Sequence, residues 1–200
     1  LNKISFNVLS DDMAASSVFA GSDLLIASSG ALYYVPDFGI DQIGIIDIFS
    51  GYSIFPNGGV EQTIGITGIP AELGPVTINP FQVNIISYLP QECMGTIEVF
   101  DGYVDQILLV QDDEGNFYVP SFGVATLTEM CPGDGYSVFL NGANGIDFTY
   151  PSDGGAARSS ASLEWESYNE RSASIMYADE IVKTGISHPI ILTSLEGMVS

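Results

Sequence analysis

One stretch of this chain is written twice. Residues 34–58 (YVPDFGIDQIGIIDIFSGYSIFPNG) and 118–142 (YVPSFGVATLTEMCPGDGYSVFLNG) align without a gap at an offset of 84, with 11 of 25 positions identical. Mismatches such as Ile40/Val124, Ile43/Leu127 and Ile54/Val138 keep apolar character. Upstream, with small slips, Asn2-x-Ile4-Ser5 answers Asn84-x-Ile86-Ser87, Val18-Phe19 answers Val99-Phe100, and Leu25-Ile26 answers Leu109-Val110. One module therefore spans residues 1–68 and its copy residues 82–151. Between them, residues 69–81 (IPAELGPVTINPF) hold three prolines and form a joining strand or linker. Whatever one copy folds into, the other must fold into as well.

The signals inside a module are those of β-structure. Short apolar runs at Leu24 to Ile26 and Ile107 to Val110 are followed by turn residues, Ser28-Ser29-Gly30 and Asp112 to Asn116, and then by aromatic strands at Leu32 to Val35 and Phe117 to Val119. Asp or Ser before Gly is hairpin chemistry, because Gly tolerates the positive φ that the turn needs. The proline after each aromatic strand ends it or places it at an edge. Gly51 to Phe55 and Gly135 to Phe139 alternate polar with apolar, as a half-buried strand does, and Asn57-Gly58 and Asn141-Gly142 close the next turn. Segments 11–19 and 92–100 have room for a helical turn each. With 46% hydrophobic residues, 22 Gly and 10 Pro, the chain is too apolar for disorder and rich in turn formers. The fold class expected is all-β: two tandem homologous small β-rich modules, followed by a C-terminal arm and the start of a further β-domain.

That last part is residues 152–200. Pro151 to Ala157 has linker composition. Trp165, Tyr168, Ser172, Ile175 and Met176 then recur at a spacing that suits a short amphipathic helix or an arm packed on a neighbour, so Trp165, Tyr168, Ile175 and Met176 are the candidate assembly contacts. From Lys183 onward the pattern is strand, turn and the opening of another strand. A start at Leu1 without an initiator Met, and an apolar strand opening near Ser200, are expected of a processed product or a piece of a longer chain.

Charge narrows the function. Lys and Arg number 4 against 25 Asp and Glu, a formal net charge of −21. Residues 4–157 contain no Lys, Arg or His at all, against 19 carboxylates. A surface without cations cannot neutralise phosphates, which excludes nucleic acid as a partner, and anionic lipid would repel it. No run approaches the roughly 20 apolar residues of a membrane-spanning helix, so membrane insertion is not expected. A salty exterior, where the Debye length falls below about 8 Å, costs such a chain less self-repulsion than a dilute cytoplasm does.

Catalysis finds little support. A Ser or Cys nucleophile needs a His or Lys beside it, and the repeat region has neither; His188 stands alone before Pro189. Carboxylate-only hydrolysis is compatible with the residue types, but no acidic pair is marked out. No cofactor is expected and no catalytic residue is assigned. Asp112, Asp113 and Glu114, beside Gly115 and Asn116, offer the hard oxygen ligands that calcium takes. The spacing is not that of an EF-hand, and the first module has Ser-Ser-Gly there, so a solvated hairpin tip is the favoured reading and calcium the alternative. The repeated aromatics Tyr34, Phe38, Tyr52, Phe55 and their copies Tyr118, Phe122, Tyr136 and Phe139 are expected to be core and inter-strand packing, with a glycan site at Tyr34 and Tyr118 as the competing reading. Cys93 and Cys131 are too few for a disulfide framework; they are expected as free buried thiols, pairing being the alternative.

The segments Asn84-x-Ile-Ser, Asp105-Gln-Ile-Leu-Leu-Val, Gly115-Asn-Phe-Tyr-Val-Pro-Ser-Phe-Gly and Glu129-Met-Cys-Pro-Gly-Asp-Gly-Tyr-Ser-Val-Phe-Leu-Asn-Gly resemble a module of structural proteins of marine tailed phages. The same module is similar to one in surface proteins of aquatic bacteria. Thr184-Gly-Ile-Ser-His-Pro-Ile-Ile-Leu-Thr resembles the entry to the β-domain that often follows it. The resemblance implies a fibre, or a tail- or capsid-associated virion component, without catalysis. Its partners would be copies of itself or other subunits of the assembly, and its location a virion or extracellular surface. A bacterial surface or secreted adhesin segment, with glycan as its partner, is the alternative. The first module departs from the pattern at Ser28-Ser29-Gly30 and at Asp47 to Ser50, so no ligand function carries over to both copies.

Overall fold

The structure is a computed structural model that describes residues 2–58 and 63–151. The expected contacts Trp165, Tyr168, Ile175 and Met176, together with His188 and the start of a further domain, lie outside the described residues.

The first half runs β1 (Asn2–Ile4), β2 (Val8–Leu9), α1 (Ala15–Val18), β3 (Leu24–Ser29), β4 (Leu32–Val35), β5 (Ile40–Asp41) and β6 (Tyr52–Pro56). Two strands follow in the proline-rich join, β7 (Ile69–Pro70) and β8 (Val76–Ile78). The second half continues with β9 (Asn84–Ser87), β10 (Met94–Gly95), α2 (Thr96–Val99), β11 (Ile107–Gln111), β12 (Phe117–Val119), β13 (Val124–Ala125), β14 (Glu129–Met130), β15 (Gly135–Leu140) and β16 (Ile146–Phe148). The fold is all-β, with α1 and α2 single turns of four residues each.

Each half builds a five-stranded antiparallel sheet. The orders are β1-β6-β3-β4-β5 and β9-β15-β11-β12-β13, which match strand for strand. Even the irregularity is shared. A register shift falls between Leu24 and Ile26 against β6, and another between Ile107 and Leu109 against β15. Pro36 and Pro120 end β4 and β12 and open a tight 3-10 turn, closed at Gly39 (φ 62°) and Gly123 (φ 61°). That left-handed backbone costs glycine little, which is why the motif keeps it.

Alternation along the strands puts one face of each sheet inside. Ile4, Leu24, Ala27, Tyr52 and Ile54 are buried in the first sheet; Ile86, Ile107, Val110, Tyr136 and Val138 are buried at the matching places in the second. The helical turns lay Phe19 and Phe100 across these faces. Phe19 stacks on Tyr34 at 5.6 Å between centroids, and Phe100 stacks on Tyr118 at 6.5 Å. Two hydrophobic clusters result, one per half, with Ile48 of the first half buried in the cluster of the second.

The join is structured. Its β7 pairs with β2 and its β8 pairs with β16, so each end of the segment is hydrogen-bonded to a different half.

Candidate functional site

The two halves meet along a seam whose contacts are reciprocal. Ile4 bridges Asp134, and the corresponding Ile86 bridges Ser50, which sits where Asp134 sits in the other copy. Ser5 N donates to Gly133 O at 2.8 Å, and Ser87 N donates to Phe49 O at 3.4 Å. A Cβ on Gly51 would stand 2.8 Å from Ile86 O, and one on Gly135 would stand 2.8 Å from Ile4 O. Both glycines are therefore required by close backbone approach. Residue i meeting j while j′ meets i′ is the geometry of an isologous two-fold contact, here formed between two repeats of one chain. Buried polar groups finish it: Ser5 Oγ donates to Asp134 O at 2.6 Å, Ser87 Oγ donates to Phe6 O at 3.0 Å, and Asn7 Nδ2 donates to Pro90 O at 3.1 Å.

Beside this seam lies a cavity of about 260 Å³, lined among others by Asp112, Asp113, Glu114, Glu129, Asp134 and Tyr136. The hairpin that supplies the first three closes on itself. Asp112 accepts from Asn116 N at 2.8 Å and from Asn116 Nδ2 at 2.7 Å, so both its oxygens are engaged. The sequence's calcium candidates Asp112, Asp113 and Glu114 are thus gathered with Glu129 and Asp134 around one space. The cation that reaches them comes from the other half: Lys3 Nζ donates to the carbonyl of Asp112 at 2.7 Å, and Lys3 N donates to Asp113 Oδ2 at 3.3 Å. Burial lowers the Lys3 ammonium from its usual range, against the pull of Asp113 and Asp112. Asp134 is an exposed residue, yet desolvation of its carboxyl, with Asp113, Asp112 and Glu114 close by, pushes it up to about 6; the hydrogen bond from the Tyr136 hydroxyl opposes that rise. Chemically the cluster offers carboxylate oxygens and proton affinity. Among the described residues there is no His, and Lys3 is the Lys that reaches the cluster.

Sequence reasoning failed at the cysteines. Cys93 and Cys131 are joined in a disulfide, with 4.2 Å between their Cα atoms, and Cys93 is exposed rather than buried. The cause is a pairing that periodicity did not show. Antiparallel β10 and β14 pair Met94 with Met130, which sets the next residues out, Cys93 and Cys131, opposite each other. Glu129 lies against the two sulfurs. A disulfide has no thiolate to give a metal, so that trio is not a metal centre.

The aromatic set divides. Tyr52, Tyr136 and Tyr118 are buried and Tyr34 is half-buried, with Phe19 and Phe100 stacked on the Tyr34 and Tyr118 rings at the glycan candidates. Only 5% of Tyr118 reaches solvent, leaving it no open face for a sugar. Phe38, Phe122 and Phe55, by contrast, are exposed where packing was expected, Phe38 by 76% and Phe122 by 79%. The 3-10 turn after each proline rotates Phe38 and Phe122 out of the alternating pattern, whereas Phe55 lies within β6, on the face opposite buried Ile54.

No protein-family model matches the chain, and no curated protein or solved structure matches it either.

Proposed function

We propose that this chain is a non-enzymatic structural subunit of an extracellular assembly, a fibre or a tail- or capsid-associated component of a marine phage virion. The observation that carries the proposal is the reciprocal seam. Two repeats are locked into one body by main-chain contacts on both sides, which suits a building block. The cross-strand disulfide supports an oxidising location outside the cytosol. No helix among the described residues is long and apolar enough to cross a membrane. The scarcity of cations supports a partner other than nucleic acid.

Mass spectrometry of purified phage particles, set beside the surface fraction of their hosts, tests this reading. Recovery of residues 2–151 as a stoichiometric particle component is the expected result. Recovery with the host surface alone overturns the virion assignment in favour of an adhesin, and glycan-array binding at high salt would then identify its ligand class.

A further inference from the structure

The two sheets end in matching tips. On the first, Pro36-Asp37-Phe38-Gly39 leads into β5; on the second, Pro120-Ser121-Phe122-Gly123 leads into β13. Each of these strands is the outermost of its sheet, and each phenylalanine is held outward by the same 3-10 turn. A rigidly held, solvent-facing aromatic loses little conformational entropy on being covered, which makes it a good interface anchor. Two residues on from Phe122, Val124 in the edge strand β13 is 40% exposed, so apolar surface extends from the tip along the sheet edge.

The tips differ in charge. Asp37 and Asp41, both exposed, flank Phe38, and the corresponding positions beside Phe122 are Ser121 and Ala125. From Asn116 to Thr128 the second module carries no charged side chain. This matters because two copies of a chain with no cation between residues 4 and 157 bring like charges together almost wherever they touch. A tip free of carboxylate can meet its own image without that cost. A basic partner would choose the Asp37 and Asp41 tip instead. Charge placed on an exposed sheet edge is also a known means of preventing self-pairing.

We propose that two copies of this chain pair through the Phe122 tip, and that Asp37 and Asp41 keep the Phe38 tip from doing the same. The inference rests on the assembly reading and names its contact. The pairing is isologous, so it closes at a dimer, whereas a second competent tip on the same chain would let it propagate.

Sedimentation equilibrium of the full chain at about 0.15 M salt, where the Debye length is about 8 Å and charges at a contact still repel, provides the test. Wild type should form a reversible dimer. Placing an acid on the tip, Ser121→Asp, should weaken it at least tenfold with unchanged circular dichroism, and Phe122→Ser should do likewise. The first module carries Asp37 at the matching position of its own 3-10 turn, so the backbone accommodates the change. Asp37→Ser with Asp41→Asn should produce species larger than a dimer. A wild type that stays monomeric at about 500 µM, roughly the range of weak transient contacts, overturns the proposal. A dimer indifferent to the acid transplant also overturns it, while leaving the assembly reading to the particle experiment. Failure of the Asp37 and Asp41 variant to grow beyond a dimer overturns the guarding role of those two acids.

Discussion

The two halves close the same turn by different means. In the first, Asp47 N donates to the Tyr52 hydroxyl at 2.7 Å, and the Asp47 carboxylate accepts from Phe49 N at 3.0 Å and from Ser50 Oγ at 2.8 Å. In the second, Cys131 N donates to the Tyr136 hydroxyl at the same 2.7 Å, but the side chain that capped the turn is now half of a disulfide. The tyrosine bond is common to both, and burial keeps both hydroxyls protonated, Tyr52 being pushed up to about 12 and Tyr136 higher still. The lesson is that hydrogen-bond caps suffice to form this turn. The disulfide adds stability to a shape that the other half reaches without it.

The comparison can be broken most forcefully at the covalent tie. Replacing both cysteines with serine should cost about 3 kcal/mol, because the link closes a long loop in the unfolded chain. In a domain of this size that lowers the melting temperature by roughly 6–12 °C, readable by calorimetry with and without reductant. The second half should open first, since the first holds no such bond. Next come the seam glycines. Gly51→Ala and Gly135→Ala should each cost about 2 kcal/mol, because each added methyl meets a main-chain oxygen that cannot move alone. Near-equal losses in urea unfolding would support a two-fold seam, and a loss at one glycine alone would break it.

Asp47→Ala should cost about 1 kcal/mol through its lost turn bonds. A double-mutant cycle with the cysteine pair should be additive, because the two devices act in different halves. The smallest effect sharpens the difference between Asp134 and its uncharged counterpart Ser50. The folded Asp134 holds its proton up to about pH 6, above the unfolded value near 4, so its stabilising contribution is complete below about pH 4 and is lost as pH rises through 6. Asp134→Asn should flatten the stability profile over that window by a few tenths of a kcal/mol, solvent screening at an exposed residue keeping the effect small. Chemical denaturation at pH 4.5 and 7.5 measures it.

Much of the fold was legible because strand periodicity and turn chemistry are local. Leu32 to Val35, Phe117 to Val119 and both helical turns fall where the pattern placed them. The candidate site was legible only as fragments. Asp112, Asp113 and Glu114 stood out as a run, but Asp134 joins them only through the pairing of β15 with β11 and Lys3 only through the seam, and no periodicity records a contact between residues more than a hundred positions apart. Phe38 and Phe122 were misassigned for the opposite reason. A three-residue turn breaks the alternation locally, and burial follows the turn rather than the spacing.

By itself the sequence determined that a sheet-forming unit occurs twice and that its surface has almost no cation, since both follow from which side chains are present and in what order. The tertiary structure alone decided that the halves face each other reciprocally, that Cys93 meets Cys131, and that Phe38 and Phe122 are left in water. Those outcomes depend on which backbones approach closely enough for Gly51 and Gly135 to be necessary, and such approach is set by packing in three dimensions rather than by neighbours along the chain.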